Sequence, residues 1–377
     1  MSEYQYYEFV TVDRQLSHDE MDQLRSISTR ADISSTRFCN TYSYGDLKAE
    51  PERMLLDYFD AFVYVSNFAF QRFIIKLPKE CFSADFLNPY FPGDGYQCAV
   101  KSKKNHWLLE FTYSNENGYD DDGWVDGEGW MGRLLSIRNE LIKGDYRSLY
   151  LAWLAEVEHL DRIDALPVNL LEPSVPAGLG QLTSSQSALC EFLKLPAHIV
   201  EAAARGTTDT DTPELGELVS EWLAHQTAEQ CQNTLRELLL DETGVVRTKQ
   251  IATIVQSHND SLASEPSQPR TVTDLKHDAK AIRQKMVEAE RLKKQKALEK
   301  QIEEVAAREP AYWNRLEELF EKRGSYSVYD EIREKARSLK QVAQSKNRLA
   351  DFEHRICLIR ETFSKKKKHL QALEKVL

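Results

Sequence analysis

Tyr4-Gln-Tyr-Tyr-Glu-Phe-Val-Thr-Val12 opens the chain with aromatic and β-branched residues, and Ser17-His-Asp-Glu20 follows shortly after it. The first stretch predicts a β-strand, because such side chains pack well on a pleated surface. The second stretch predicts the start of a helix, since Ser17 can cap a free backbone N–H group while Glu20 reaches back to the cap. A strand followed closely by a capped helix indicates a fold that mixes both elements.

The following segments continue this alternation. Pro51 favours the first turn of a second helix, which we expect to continue to Val65 along a wide apolar stripe. Phe70 to Leu77 predicts a strand, and residues 96–113 predict a closing hairpin. We therefore predict an α+β fold whose N-terminal domain, residues 1–115, is one mixed sheet with helices packed on it.

A helical middle domain is predicted for residues 116–256, beginning with an acidic, glycine-rich connector that contains two tryptophans. The carboxylates of this connector do not fit a calcium loop, because Trp124 and Val125 stand where a ligand and the glycine are needed. We expect a solvated connector that packs Trp130 on the next helix. Residues 257–272 are rich in Ser and Pro, and they predict a flexible linker.

Residues 273–377 predict an all-helical tail. A heptad-like stripe begins at Leu275, but it breaks at Lys293 and Lys296. We therefore expect a long, charged, partly solvated helix in preference to a sustained coiled coil. The two last long apolar stripes, from Tyr326 and from Leu349, are separated by a short connection, which predicts an antiparallel helical hairpin.

The two parts of the chain differ in charge. Residues 271–377 carry 26 Lys and Arg against 18 Asp and Glu, whereas residues 1–270 carry 23 against 42. Such an asymmetry is typical of a tail that contacts an acidic partner. Docking of the tail on the acidic front half of the same chain explains the pattern equally well, and the sequence leaves both alternatives open.

Composition also limits the cellular setting. No stretch reaches 18 apolar residues, and the first residues lack the basic and apolar regions of a signal peptide. The six cysteines are spread along the chain without a Cys-x-x-Cys pair, as expected for reduced thiols. We therefore expect a cytoplasmic protein that does not associate with membranes.

The sequence contains no recognisable motif for catalysis or for cofactor binding. The chain has no phosphate-binding glycine loop, no nucleophile elbow and no His-Glu-x-x-His, and its nine histidines show no ligand spacing. The densest mixed cluster is Glu156, Glu158, His159 and Asp161, for which an exposed, ion-paired helix face is the favoured interpretation. We therefore expect no catalytic residue, no bound metal and no cofactor, and an enzymatic function is disfavoured.

Two groups of residues in the tail are candidates for binding. The run Lys365, Lys366, Lys367 and Lys368 could neutralise phosphates of DNA or RNA, although the isoelectric point of about 5.5 is unlike that of a dedicated nucleic-acid binder. The candidates for contact with a protein partner are the aromatic residues Tyr312, Trp313, Tyr326 and Tyr329.

Several segments resemble a family of uncharacterised bacterial proteins. They include the opening Met1-Ser-Glu-Tyr-Gln-Tyr, the Gly-Glu-Gly-Trp that ends at Trp130, the run from Gly144 to Trp153 and the Val-Pro-Ala-Gly-Leu-Gly that ends at Gly180. The resemblance covers most of the chain and implies a bacterial, cytoplasmic setting without an activity. From Tyr329 onwards the tail is similar to a helical module of some bacterial SWIM zinc-finger proteins, but the zinc motif is missing.

The function expected from these observations is that of a non-enzymatic adaptor or assembly protein, which binds a protein partner through its helical tail. The alternative is an accessory component of a bacterial nucleic-acid-processing or defence system, which contacts DNA or RNA through the basic tail. An enzyme with an unrecognised motif is the third hypothesis, and titratable groups clustered in the α+β domain would favour it. The oligomeric state stays open.

Overall fold

The computed structural model describes residues 4–92, 95, 97–115, 126–167, 169–205, 214–241, 244–261 and 270–376. Most of the acidic connector, including the failed calcium register, and half of the predicted linker, residues 262–269, therefore lie outside the described residues. The chain divides into two compact units, Met1–Arg283 and Gln284–Leu377, which are called unit 1 and unit 2 below.

A β-sheet forms the first part of unit 1. Its strands within the described residues are β1 (Gln5–Val10), β2 (Asp32–Ile33), β3 (Arg37–Tyr42), β4 (Ala61–Ser66), β5 (Phe70–Pro78), β6 (Cys98–Lys103) and β7 (His106–Ser114). The spatial order is β2-β3-β1-β4-β5-β7-β6, and each of these neighbouring pairs is antiparallel. The predicted α+β class is confirmed. The sheet is antiparallel where a mixed sheet was expected, because strands that run in the same direction are always separated by one that runs the opposite way, as β1 separates β3 from β4.

The first three helices of unit 1 alternate with the strands, and the others follow the last strand along the chain. Within the described residues the helices are α1 (His18–Ile27), α2 (Pro51–Tyr58), α3 (Ala84–Leu87), α4 (Trp130–Leu134), α5 (Ser136–Ile142), α6 (Arg147–Arg162), α7 (Ser184–Phe192), α8 (Ala197–Ala204), α9 (Leu215–Ala224), α10 (Ala228–Leu240), α11 (Val245–Ser261) and the start of α12 (Val272–Ala307).

Both faces of the sheet are covered by helices. On one face, Phe9 stacks on Phe62 with ring centroids 4.4 Å apart, in a core shared with α1 and α2. On the other face, Val63 and Phe73 belong to the core that α4 to α8 complete. Because successive strand residues point to opposite faces, a central strand between two helical layers must be apolar on both sides.

The predicted second helix is shorter than expected. α2 ends at Tyr58, and Phe62 and Val65, which were assigned to its apolar stripe, belong to strand β4. The aromatic and β-branched residues of this segment favour a strand, and pairing with β1 and β5 on both sides stabilises that conformation.

The start of α12 is part of the core of unit 1. Arg270 makes a two-point ion pair with the buried Glu172, with Nε–Oε2 and Nη2–Oε1 distances of 2.6 and 2.8 Å. The division between the units therefore falls inside α12 instead of at the predicted boundary at residue 273, because apolar residues of its first turns are buried in this core. These residues are Val272, Leu275, Ala279 and Ile282.

Unit 2 contains the remainder of α12 and a bundle of shorter helices. In the described residues these are α13 (Glu309–Glu321), α14 (Tyr326–Ser345), α15 (Leu349–Thr362) and α16 (Lys367–Glu374). The predicted helical hairpin is confirmed as α14 and α15, which share a core that includes Ile332, Leu339, Phe352 and Ile356.

Candidate functional site

Two turns of unit 2 meet at one corner of the bundle. One turn joins α13 to α14 and carries Lys322 and Arg323, and the other joins α15 to α16. The Lys366 Nζ atom donates a hydrogen bond to the Lys322 carbonyl at 3.3 Å, which connects the two turns. We call the cations in and directly after these turns the basic corner, which consists of Lys322, Arg323, Lys365, Lys366, Lys367 and Lys368.

The four consecutive lysines do not share one helical turn. Lys365 and Lys366 lie in the α15–α16 turn, and α16 begins at Lys367. A positive side chain in the first turn of a helix is disfavoured by the helix dipole, so local stability does not explain this run.

The cations of the basic corner are available to an external partner. Lys365, Lys367 and Lys368 are exposed, as are Lys322 and Arg323. Within the described chain, no carboxylate forms an ion pair with any of the six residues. Lys322 contributes to the lowered pKa of Glu331. The main cause is Arg315, which binds the Glu331 carboxylate directly.

Aromatic packing holds the two turns in place. His369 is 4% exposed, and its ring packs against Tyr329 and Phe320 with centroid distances of 5.1 and 5.7 Å. Burial lowers the pKa of His369, and the nearby Lys366 lowers it further. A Cβ atom on Gly324 would lie only 2.0 Å from the Tyr329 hydroxyl oxygen, so a larger residue in this turn would displace the Tyr329 side chain.

The structure divides the four predicted aromatic residues into two pairs. Tyr326 is 90% exposed at the first position of α14, three residues after Arg323, and Tyr329 lies one turn further on. Tyr312 and Trp313 belong to the opposite end of α13, a helix about 20 Å long. Tyr326 therefore adjoins the basic corner, and the other pair does not.

Trp313 is placed inside the bundle. Its ring lies 5.6 Å from that of Phe352, and the Arg355 guanidinium covers it at 4.6 Å. Lys335 lies over the Tyr312 ring in a similar way, at 4.7 Å. Both aromatic rings are therefore engaged within unit 2, and Trp313 stabilises the fold instead of presenting a surface.

Titratable groups also cluster at the junction of the sheet and α5. Arg138 binds both carboxylate oxygens of Asp13, and Lys76 lies 3.4 Å from Asp60. Burial raises the pKa of Asp13 and lowers that of Lys76. The Asp60 carboxylate also accepts hydrogen bonds from the backbone N–H groups of Val12 and Asp13. Each of these groups therefore interacts with a partner inside the protein, which indicates that the cluster has a structural role.

The acidic cluster on α6 is only partly an exposed face. Glu156 is 0% exposed and accepts hydrogen bonds from the backbone N–H groups of Gln97 and Cys98, at 2.7 and 2.9 Å. His159 is also buried, with Nδ1 3.0 Å from Gln97 Nε2. The expectation of an exposed strip was wrong for these two residues, because their side of α6 packs against the edge strand β6.

Other predicted features have simple structural outcomes. Trp130 is buried at the start of α4 and packs edge-on against Phe192, at 5.1 Å. A search of the described residues finds no group of three or more His, Cys, Asp and Glu side chains placed to hold a metal ion. None of the helices in these ranges combines the length and the apolar character needed to cross a membrane.

Comparisons of the chain with protein-family models, with curated proteins and with solved structures gave no match. The candidate site must therefore be interpreted from its own geometry. Sequence inspection identified the four lysines and Tyr326, but it did not include Lys322 and Arg323. No local pattern joins these two residues to a run more than forty positions later, and only the packing of α16 beside α13 and α14 brings them together.

Proposed function

We propose that this protein is an adaptor that binds an acidic protein partner through the basic corner of unit 2. The observation that supports the proposal most strongly is the convergence of six cations beside an almost fully exposed tyrosine, with no carboxylate of the described residues ion-paired to any of the six. Tyr and Arg are enriched among residues that dominate binding energies at protein interfaces. Flanking lysines accelerate the encounter with an acidic surface.

The charge of the remaining chain favours a protein partner over a nucleic acid. Residues 284–377 carry 23 Lys and Arg against 16 Asp and Glu, whereas residues 1–283 carry 26 against 44. A strongly acidic unit 1 in the same molecule repels the extended phosphate backbone of DNA or RNA. A compact acidic patch on a protein needs to approach only the corner. The cytoplasmic location expected from the sequence belongs to the same proposal.

Nucleic-acid binding is the second candidate, and one observation favours it. All six cations of the corner are free of carboxylate partners within the described chain, as phosphate-binding residues must be. With six phosphates neutralised, the slope of log affinity against log salt would be about −4 to −5. The structure thus extends the candidate surface of an accessory nucleic-acid-binding protein beyond the four lysines of the sequence motif.

Affinity capture of the full chain tests the proposal. The test variant changes all six residues of the basic corner to Gln, which preserves helix propensity. A matched control changes six exposed cations elsewhere in unit 2 to Gln: Lys285, Lys293, Lys296, Lys300, Arg308 and Arg337. Captured proteins are quantified by mass spectrometry, with and without nuclease.

We expect the wild-type chain and the control to retain a common protein partner after nuclease treatment, and the test variant to lose it. A partner retained equally by all three chains contradicts the adaptor proposal. Capture that disappears with nuclease, or material that is nucleic acid alone, favours the second candidate instead.

A further inference from the structure

A groove in unit 1 brings together charged residues of three helices. α6, α8 and the first turns of α12 enclose a cavity volume of about 460 Å³, within the range of small-molecule sites. Glu158 and Asp161, the acidic pair noted on α6, form one wall, and Lys280 and Arg283 of α12 form another. The groove belongs to unit 1, whereas the basic corner belongs to unit 2, and the groove has no role in the proposed adaptor function.

The electrostatic balance of the groove favours an anion. The Lys276 ammonium forms an ion pair with Asp161, so these two charges offset each other. Lys280 and Arg283 are exposed, and neither pairs with a carboxylate of the described chain. Burial lowers the pKa of His198, and the nearby Arg283 lowers it further.

One helix start strengthens this preference. His198 lies in the first turn of α8, and it lines the groove. The start of α12 is already occupied, because Thr271 and Asp274 cap it and the Val272 N–H donates to the Leu170 carbonyl. The backbone N–H groups and the dipole of a helix N-terminus stabilise negative charge. Two cationic side chains beside the start of α8 favour a phosphate over a single carboxylate.

Glu158 gives the groove a second recognition element. Its carboxylate is half-buried in the same cavity, and no group of the described chain donates a hydrogen bond to it. Burial raises its pKa, although Lys276 counteracts the effect. A half-buried acceptor without a partner can accept a hydrogen bond from a donor on a ligand, such as a hydroxyl group.

We propose that this groove binds a small phosphate monoester that also carries hydroxyl groups. The phosphate lies against Lys280, Arg283 and the start of α8. A hydroxyl of the same molecule donates a hydrogen bond to Glu158. The size of the cavity selects a single sugar phosphate or a molecule of similar volume.

Isothermal titration calorimetry of the full chain tests the proposal with ribose 5-phosphate, inorganic phosphate and ribose as probes. We expect ribose 5-phosphate to bind more tightly than inorganic phosphate, and ribose to show no binding. The double variant Lys280→Gln/Arg283→Gln should weaken binding of both phosphates at least about tenfold. Lys285→Gln removes an exposed cation of the same helix outside the groove, and it should leave both affinities unchanged.

A further variant separates the two recognition elements. Glu158→Gln should leave the affinity for inorganic phosphate intact or raise it, and should reduce the preference for ribose 5-phosphate. Circular dichroism confirms that each variant is folded. The proposal is overturned if neither phosphate binds at about 10 mM, or if the double variant and Lys285→Gln behave alike. It is also overturned if a short single-stranded oligonucleotide binds more tightly than ribose 5-phosphate and loses affinity in the double variant.

Discussion

Arg138 shows how much one residue can contribute at the junction between the sheet and the helices. It is 2% exposed, its Nε atom donates to the Lys76 carbonyl at 3.1 Å, and its two terminal nitrogens bind Asp13. The side chain thus joins α5 to β5 and to the segment after β1. Burial raises the pKa of Asp13 in spite of this partner, and Arg138 is the main group that counteracts the shift.

Removal of Arg138 should destabilise unit 1 strongly. Arg138→Ala leaves Asp13 buried without its cation, and we expect a loss of about 3–5 kcal/mol in the free energy of unfolding. The control Arg133→Ala removes an ion pair to Glu191 that is largely exposed, and it should cost less than about 1 kcal/mol. Hydrogen exchange of β5 and α5 measures both effects. Similar losses in the two variants would contradict the structural role of Arg138.

Glu20 makes the stability of unit 1 depend on pH. Its carboxylate binds Arg14 at 2.7 Å and accepts from the Ser17 N–H at 2.8 Å, and chiefly the hydrogen bond from Arg14 lowers its pKa to about 2. A lowered carboxyl pKa contributes stability that is present above the unfolded value of 4.5 and is lost as pH falls through about 2.

Replacement of Glu20 should therefore lower the stability of unit 1 at neutral pH and have little effect near pH 2. We expect Glu20→Gln to lower the free energy of unfolding by about 1 kcal/mol at neutral pH, and the difference from wild type to vanish near pH 2. Asp22→Asn changes an exposed carboxylate of the same helix that makes no ion pair in the described chain, and it is the control. Urea denaturation across the pH range provides the measurement. A difference that grows towards low pH would have the wrong sign for this account.

At the scale of elements, predictability follows how local the determining interactions are. The cap of α1 and the apolar stripes of α14 and α15 depend on neighbours a few residues away, and the sequence predicts both. β4 was assigned to a helix because Phe62 and Val65 also suit a helical stripe. Only pairing with β1 and β5 determines that this segment is a strand. The burial of Glu156 depends on β6, almost sixty residues earlier, and is invisible to local patterns.

Phe352 tests the hairpin of unit 2. It is buried between α13 and α14, with its ring against Trp313. We expect Phe352→Ala to cost about 3–5 kcal/mol in the stability of unit 2, the usual range for an aromatic residue truncated in a core. Leu358→Ala alters a residue of the same helix that is 49% exposed, and it should cost less than about 1 kcal/mol. Hydrogen exchange of α14 and α15 distinguishes the two, and equal protection in both variants would contradict this packing.

For the whole molecule, α12 determines where the chain can be truncated without destabilising unit 1. The sequence predicted a flexible linker over residues 257–272, whereas the structure places the first turns of α12 in the core of unit 1. Each large aliphatic side chain there contributes about 1.5–3 kcal/mol by burial. We therefore expect a fragment of residues 1–283 to melt at a clearly higher temperature than residues 1–256, as measured by circular dichroism. Identical melting temperatures would show that α12 is not part of this core.

The candidate site was only half predictable for a similar reason. Lys365 to Lys368 form a continuous run, and Tyr326 is an aromatic residue in a polar neighbourhood, so both are visible in the sequence. Lys322 and Arg323 acquire significance through tertiary packing, which places their turn beside the lysine run. Trp313 was a candidate for partner binding but is buried in the bundle. Its burial also depends on tertiary packing, because the helices that cover it are distant in sequence.

The central claim is that unit 2 binds an acidic protein partner, and direct titration of fragments tests it. The partner recovered by capture is purified and titrated by calorimetry against the full chain, residues 284–377, residues 1–283 and the full chain with the basic corner changed to Gln. The account predicts that residues 284–377 bind within about tenfold of the full chain, and that the other two bind at least about a hundredfold more weakly. Binding carried by residues 1–283, or binding unchanged by the loss of the six cations, would contradict it.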